Sequence, residues 1–290
     1  MPEPDNTAFN TPSDQNHKPL FKFGLIADVQ YSDYVHVGNR YYRASLSKLR
    51  EAVISLKEDS ADFIINLGDL IDKDIKSYKP VLNIIDSSGL KIYNITGNHD
   101  YSVAPPMKKH IPVIQSSNEG YYSFVLEKFR FIFLNGNEVS TYASNNKDDI
   151  KSATGYIESL KNAGGINAVD WNGGISKRQI EWLECELNKA NYTFQKVLIF
   201  CHFPVWPENN HNLLNFYEVI SVLDKFQNIV AWLNGHNHAG NYGNFNMIHF
   251  VTLKGMVETE TSNSFALVEV YMDKLCIKGY GREKSQILTF

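Results

Sequence analysis

The feature that most constrains this chain is a repeated junction, in which a short apolar run ends in a polar side chain that can bind a cation. The junctions are Asp28-Val29-Gln30, Gly68-Asp69, Gly97-Asn98-His99-Asp100, Cys201-His202 and Gly235-His236-Asn237-His238. Apolar runs alternate with segments of helical period, such as 41–60, which is typical of parallel strands with crossover helices. Because the carboxyl ends of parallel strands meet at one edge of a sheet, we expect the five junctions to lie together.

The remaining pattern predicts a mixed α/β fold. We predict strands at 21–27, 62–67, 91–96, 195–201 and 229–235, and a hairpin over 121–136 with its turn at Glu127-Lys128. Helices are predicted over 41–60, 76–89, 176–190 and near 213–226. The segment from 245 to 281 is predicted to form antiparallel strands. Residues 137–175 are predicted to be irregular. Ser176 and Gln179 are predicted to form a capping box at the start of the helix that follows. Residues 1–20 are predicted to form a flexible polar tail and residues 21–290 a single domain.

Composition excludes several classes of protein. A net charge of -4, from 28 basic and 32 acidic residues, argues against nucleic acid or an anionic membrane as the main partner. The three cysteines are scattered, which favours a reducing compartment. The N-terminus lacks the pattern of a secretory signal, and no apolar stretch is long enough to span a bilayer. We therefore expect a cytoplasmic protein.

Each junction taken alone also has a structural interpretation. Asp69 can cap a helix, Asn98 can adopt a left-handed turn, and His202 can be an ordinary buried histidine. The joint pattern favours a metal site, because two carboxylates, a carboxamide and three imidazoles all follow strands and all offer N or O donors.

In this order the motifs D-x-[H/Q], GD, GNHD, a single His after a strand, and GHxH resemble the calcineurin-like metallophosphoesterase family. The resemblance implies a four-layer αββα sandwich of two mixed β-sheets flanked by helices, with a dinuclear metal centre at one edge. It implies that Asp28, Gln30 and His238 hold one ion, that Asn98, His202 and His236 hold the other, and that Asp69 bridges them. His99 would be catalytic, outside the metal ligands and facing the leaving group or a phosphate oxygen. The implied reaction is attack on phosphorus by a metal-bridging hydroxide.

Gln30 stands where most members of that family have histidine. An amide oxygen is a harder donor than imidazole, so it is expected to favour manganese, iron(II) or magnesium over zinc. The alternative is that Gln30 does not bind the ion and a water replaces it. Two divalent ions with two carboxylates leave a charge of about +2, which attracts an anionic phosphate or diphosphate.

Together with Gln30, five stretches resemble the manganese-dependent ADP-ribose/CDP-alcohol diphosphatase subgroup: 40–53, 172–187, 201–208, 251–259 and 277–290. This resemblance implies hydrolysis of the diphosphate bond of ADP-ribose or CDP-choline-like small molecules. Trp206, Phe216 and Tyr217 are candidates to stack on the base, or else core aromatics. Arg43 is a candidate for the second phosphate, or else an exposed helix charge.

Two rival functions stay open at this point. One is a cyclic nucleotide phosphodiesterase or phosphomonoesterase of the same fold. The other is a metal-bound scaffold without catalysis. The histidines that match no motif are His17, His36, His110, His211 and His249, and no role is assigned to them.

Overall fold

The structure is a computed structural model that describes residues 18–111 and 120–290. Its first sheet has six strands in the order β12-β11-β10-β1-β2-β3. These are β1 Phe21–Ile26, β2 Phe63–Asn66, β3 Lys91–Asn94, β10 Ser264–Val270, β11 Lys274–Gly281 and β12 Gln286–Thr289. β1, β2 and β3 run parallel, whereas β10 pairs antiparallel with β1. The predicted tail residues 1–17, His17 among them, lie outside the described residues.

The second sheet also has six strands, in the order β4-β5-β6-β7-β9-β8. These are β4 Tyr122–Leu126, β5 Phe129–Phe133, β6 Lys196–Phe200, β7 Ile229–Asn234, β8 Asn241–Phe245 and β9 Ile248–Thr252. The hairpin turn at Glu127-Lys128 is confirmed. The antiparallel prediction for 245–281 is wrong for β9, which is antiparallel to β8 but parallel to β7.

The described part of the chain has five α-helices. They are α1 Ala44–Glu58, α2 Tyr78–Ser88, α3 Lys147–Asn162, α4 Lys177–Tyr192 and α5 Phe216–Leu223. Of these, α1 and α2 pack on the first sheet and α4 and α5 on the second. Short 3-10 helices lie at Ile75–Ser77, His99–Tyr101 and Pro105–His110. None of the described helices is long and apolar enough to cross a membrane.

Three apolar clusters account for the layered packing. One lies between the sheets and is rich in phenylalanine, with Phe23, Phe131 and Phe200 in mutual ring contact. A second cluster joins the second sheet to α4 and α5, and a third joins the first sheet to α1 and α2. Two mixed sheets flanked by helices are therefore present, as expected.

The prediction that 137–175 is irregular is wrong, because α3 lies within it. The Asn146 side chain accepts a hydrogen bond from the Asp148 backbone N–H, which caps the helix, and the acidic first turn complements its dipole. Only Ala153 and Ile157 of this helix are buried, so its apolar stripe is too narrow for periodicity to reveal it.

The capping box at α4 is half confirmed. Ser176 accepts from the Gln179 backbone N–H at 3.2 Å, as predicted. The Gln179 side chain does not return to Ser176; the Ser176 backbone N–H donates instead to Glu138 at 2.9 Å. Gln179 donates to the same carboxylate at 2.6 Å, which ties the start of α4 to the loop after β5.

Candidate metal centre

The seven side chains predicted as metal ligands follow five strands whose carboxyl ends lie at the same edge of the two sheets. They are Asp28 and Gln30 after β1, Asp69 after β2, Asn98 after β3, His202 after β6, and His236 and His238 after β7. All are buried except His238, whose side chain is 12% exposed. The structure therefore brings the whole predicted set together, and these seven side chains are called the centre below.

One group within the centre consists of Asp28, Gln30 and His238. His238 Nε2 lies 3.4 Å from Asp28 Oδ1 and 3.1 Å from Gln30 Nε2. Gln30 Nε2 also donates to Asp69 Oδ2 at 3.1 Å. Asp69 is thus in direct contact with this group.

A second group forms around His202 on the other side of Asp69. His202 Nδ1 donates to the Leu67 carbonyl oxygen at 2.8 Å, since a carbonyl can only accept. His202 Nε2 then faces Asn98 Oδ1 at 3.3 Å and Asp69 Oδ2 at 3.4 Å. Asp28, Asp69 and His202 alone offer three ligand atoms within 4.8 Å of one another.

The side-chain amide of Gln30 has an oxygen without a hydrogen-bond partner in the described part of the chain, and a cation could take that place. Its nitrogen faces Asp69 and His238, while its oxygen is buried and has no hydrogen-bond partner among the described residues. A buried amide oxygen without a partner is unfavourable. Since a half-turn of the amide exchanges oxygen and nitrogen, Gln30 can present its oxygen to a cation held by the same neighbours.

Two partners that sequence reasoning missed, the half-buried Glu258 and the buried Asn172, orient the histidines after β7. His238 Nδ1 donates to Glu258 Oε1 at 2.7 Å, which leaves Nε2 for the centre. His236 Nε2 lies 2.9 Å from Asn172 Oδ1, and the Asn172 amide is fixed because its nitrogen donates to two backbone carbonyls. His236 therefore carries its proton on Nε2 and keeps a lone pair on Nδ1. Partners of this kind fix the tautomer of metal-binding histidines.

Several residues of the centre have a left-handed backbone conformation. Asp28, Gln30, Asp69 and His236 have positive φ angles of 53°, 44°, 58° and 68°. Such conformations persist in residues other than glycine when the surroundings enforce them, and they cluster at functional sites.

Two glycines of the motifs are explained by close approach to ligand side chains. A Cβ at Gly97 would lie 2.1 Å from Asp69 Oδ1. A Cβ at Gly68, whose φ is +99°, would lie 2.5 Å from His202 Nδ1. The backbone therefore passes directly against Asp69 and His202, and only glycine leaves room for them.

The ionisable side chains of the centre shift one another's pKa values. Burial opposes ionisation of Asp69, yet the adjacent His202 holds its pKa well below the usual range. Burial also disfavours the charged histidines, but Asp69 raises the pKa of His202 to about 9 and Asp28 raises that of His238 to about 9. Burial and the nearby His202 lower the pKa of His236. The carboxylates thus create a negative potential that favours a positive charge between them.

His99 lies beside the centre and points into the adjoining cavity. Its backbone N–H donates to Asp69 Oδ1 at 2.7 Å, and its Nδ1 lies 3.2 Å from Asp72 Oδ2. Its Nε2 lies 3.2 Å from Arg40 Nη1. The ring therefore lies between a carboxylate and a guanidinium, and its Nδ1 has no hydrogen-bond partner among the described residues.

A cavity of about 530 Å³ opens over the centre. It is lined by Gln30, Arg40, Asp69, Asn98, His99, Ser102, Thr141, Tyr142, Asp170, Trp171, His211, His236 and His238. Trp171 and His211 pack with ring centroids 5.1 Å apart, and Trp171 lies 5.5 Å from His236. The lining residues that come from the long connections, namely Arg40, Ser102, Thr141, Tyr142, Asp170, Trp171 and His211, are called the cavity wall below.

The four predicted substrate contacts lie outside this cavity. Arg43, the residue before helix α1, is exposed and pairs with Asp33 at 2.6 Å. Phe216 is 2% exposed and belongs to the core under α5, whereas Tyr217 is 61% exposed. Trp206 packs on the outer face of the second sheet. None of the four is among the residues that line the cavity over the centre.

Arg40, Trp171 and His211 line the cavity, whereas the sequence analysis named other residues as candidate substrate contacts. Arg40 opens the 40–53 stretch and Trp171 directly precedes the 172–187 stretch, so the motif boundaries were the available signal. His211 matched no motif, and nothing in its surroundings in the sequence indicates the cavity.

The donors of the centre suit divalent cations. Carboxylate oxygens, an amide oxygen and imidazole nitrogens are the ligands that manganese, iron and zinc accept in proteins. A cation would give the buried Gln30 oxygen a partner and would draw on the oxygens of Asn98 and Asp69 that face His202 Nε2.

Comparison with known proteins agrees with this geometry. A family model described as calcineurin-like phosphoesterase matches residues 21–240. Proteins named manganese-dependent ADP-ribose/CDP-alcohol diphosphatase are similar to the chain. That of Mus musculus is 29% identical over 99% of this chain and 98% of its own length. That of Oryza sativa subsp. japonica is 30% identical over 91% of this chain and 92% of its own length. Among solved structures, a dimetal phosphatase from Danio rerio matches with a TM-score of 0.86 and 27% identity, over 94% of this chain and 100% of that one.

Proposed function

The chain belongs to the calcineurin-like phosphoesterase family, and on that premise we propose that it hydrolyses the diphosphate bond of nucleoside diphosphate-linked small molecules such as ADP-ribose and CDP-alcohols. It is a metal-dependent hydrolase. The finer assignment is supported by relatives named for that activity that match nearly the whole chain.

The observation that carries the proposal is the position of Asp69 between two groups of ligand atoms. We propose that the centre binds two divalent ions and that Asp69 contacts both. The first ion would be held by Asp28, Gln30 and His238, and the second by Asn98, His202 and His236. A carboxylate has two oxygens and can bridge two ions, which makes Asp69 the shared ligand.

When bound, two such ions polarise a phosphoryl oxygen and lower the pKa of a water held between them. The chain's own residues orient the substrate. His99 faces the cavity beside the centre and can contact the oxygen that leaves phosphorus. Because ligands must be deprotonated, binding of the ions displaces the protons that His202 and His238 hold at neutral pH.

Manganese is the ion that we propose for this centre. The amide of Gln30 is a harder donor than the imidazole that it replaces, and the relatives are named as manganese-dependent. With two carboxylates among neutral ligands, the loaded centre keeps a charge of about +2 and attracts the substrate phosphates.

We assign base stacking to Trp171 in place of Trp206, Phe216 and Tyr217. Its indole is half-buried on the cavity wall and packs at an angle against the rings of His211 and His236. Aromatic faces stack on a base with little loss of side-chain entropy. Asp170, exposed beside it, can accept hydrogen bonds from the nucleoside.

The direct test is product analysis with purified protein and Mn²⁺. ADP-ribose should give AMP and ribose 5-phosphate, and CDP-choline should give CMP and phosphocholine. Cyclic AMP and an aryl phosphate serve as comparison substrates. Much faster hydrolysis of cyclic AMP than of either diphosphate would contradict the proposal and favour a cyclic nucleotide phosphodiesterase. Metal binding without turnover of any of the four substrates would favour a scaffold.

We also propose that the protein is located in the cytoplasm. None of the three cysteines forms a disulfide in the described part of the chain, which fits a reducing compartment. Recovery of the native protein in a membrane or secreted fraction would contradict it.

A further inference from the structure

Lys48 is a charged residue of helix α1 that is almost fully buried, at 3% exposed. Its Nζ donates hydrogen bonds to the backbone carbonyl oxygens of Met256, Glu258 and Thr259, the last two at 3.0 and 2.8 Å. An ammonium group has three N–H donors and no acceptor, so these three carbonyls match it completely. Burial lowers the pKa of Lys48 to about 8, which leaves the ammonium form in excess at neutral pH. The lysine thus fastens residues 255–259, called the 255–259 loop below, to helix α1.

The 255–259 loop is hydrogen-bonded to the end of β1. The Met256 N–H donates to the Ala27 carbonyl oxygen at 3.0 Å, and the Val257 N–H donates to that of Asp28 at 2.9 Å. Asp28 has a φ of 53°, a conformation that a residue other than glycine keeps only when its surroundings enforce it. The loop therefore helps to fix the backbone of Asp28, and with it the direction of the carboxylate.

The same loop holds His238 at two points. The Gly255 N–H donates to the His238 carbonyl oxygen at 3.2 Å, and the Glu258 carboxylate accepts from His238 Nδ1 at 2.7 Å. A Cβ at Gly255 would lie 2.6 Å from His238 Cγ, so the loop backbone passes directly against the ring. Asp28 and His238, two of the three ligands proposed for the first ion, thus both depend on the loop.

The imidazoles proposed for the second ion are oriented by other parts of the chain. His202 donates to the Leu67 carbonyl oxygen at 2.8 Å, and His236 Nε2 lies 2.9 Å from Asn172 Oδ1. Neither of these contacts involves the 255–259 loop. A disturbance of the loop is therefore expected to affect the first ion more than the second.

On these grounds, and resting on the two-ion centre of the proposed function, we propose that Lys48 is a positioning residue for the first ion. Its ammonium group holds the 255–259 loop, and the loop keeps His238 Nε2 facing Asp28 Oδ1, at 3.4 Å. Lys48 is not among the residues that line the cavity, so it acts through the ligands and not on the substrate. Without its three donors the loop loses its attachment to α1, and the affinity for the first ion falls while that for the second is kept.

The test replaces Lys48 by methionine, which is also long and unbranched but carries no N–H donor. The metal-free proteins are titrated with Mn²⁺, and the free ion is measured by electron paramagnetic resonance. The wild type should bind two ions. K48M should bind one ion with wild-type affinity and the other about tenfold to a hundredfold more weakly, the usual effect of losing a group that orients a metal ligand. At saturating Mn²⁺ its kcat for ADP-ribose should return to the wild-type value.

Lys57 provides a matched control on the same helix. Its Nζ donates to the carbonyl oxygen of Ser88 in α2 at 2.8 Å, so K57M also removes a bond from a lysine to a backbone carbonyl. K57M should keep both Mn²⁺ affinities. K48Q, whose amide still has two N–H donors, should show the same selective loss at smaller size, and it replaces K48M if the methionine variant does not fold.

The outcomes separate the role of Lys48 from the proposed function. Wild-type affinity for both ions in K48M, or in K48Q in its place, would overturn the role and leave the proposed function standing. An equal loss for both ions, or a kcat that stays low at saturating Mn²⁺, would show a merely structural lysine. A selective loss in a protein that hydrolyses no diphosphate would contradict the proposed function, while the role of Lys48 stands. Binding of a single ion by the wild type would overturn both the two-ion centre and the role of Lys48.

Discussion

The centre and the cavity wall adjoin each other but are built differently. The centre lies on short segments that directly follow strands, and all its side chains are buried or nearly so. The wall comes from residues farther along the chain after β1, β3, β5 and β6, and it is mostly half-buried or exposed. Residues of the centre contact one another, whereas Trp171 has one ring contact with the centre, to His236, and Arg40 bonds to His99, which lies outside it.

Because of this difference, we expect substitutions in the centre and in the cavity wall to have different effects. A buried set of interlocking donors is expected to fail as a unit, because removing one member leaves the others unpaired. A wall of independent side chains is expected to respond in graded steps and to set substrate preference. The following substitutions test this contrast, from the largest expected effect to the smallest.

Asp69→Ala should abolish metal binding and activity together, since Asp69 contacts both groups of the centre. Metal analysis of the dialysed variant and turnover of ADP-ribose measure the two losses. Asp170→Ala, which removes a carboxylate of the wall, is the matched control and should keep the metals. An Asp69 variant that retains both ions would remove the basis for a shared ligand.

His99→Ala should keep the metals and slow turnover by about 10²-fold or more, because His99 lies in the cavity but outside the predicted ligand set. Single-turnover kinetics with metal analysis on the same sample measure the effect. His211→Ala, a wall histidine, should show a much smaller decrease. Metal loss equal to that of the Asp69 variant would place His99 within the centre.

Trp171→Ala should lower kcat/KM for ADP-ribose by about tenfold, the usual contribution of a base stacked on an aromatic ring. Trp206→Ala should leave kcat/KM near the wild-type value but lower the melting temperature, because Trp206 packs against Phe245 with ring centroids 5.0 Å apart. Steady-state kinetics and thermal denaturation of both variants distinguish the two tryptophans. The reverse result would restore Trp206 as the base contact.

Gln30→His should shift metal preference toward zinc by several-fold, since imidazole is a softer donor than an amide oxygen. Competition of Zn²⁺ with Mn²⁺, followed by metal analysis, measures the shift. An unchanged preference would mean that Gln30 does not bind the ion and that a water stands in its place.

Much of the fold followed from the sequence, and so did the convergence of the centre. Apolar runs marked the strands of both sheets, and the polar residues after them reached the same edge because parallel strands end there. Helix α3 escaped prediction because only two of its residues are buried. The pairing of β9 with β7 escaped it because strand order depends on contacts between distant segments.

The sequence by itself determined the residue types of the centre and their attachment to strand ends, since strand periodicity and the length of the following segment limit where such side chains can go. Only the tertiary structure decided which arginine and which tryptophan face the cavity. Arg40 and Arg43 are three residues apart, and the attachment of 39–41 to 257–259 turns one inward and leaves the other beside Asp33. Long connections have no periodicity of their own, so the contacts made by the folded chain set the direction of their side chains.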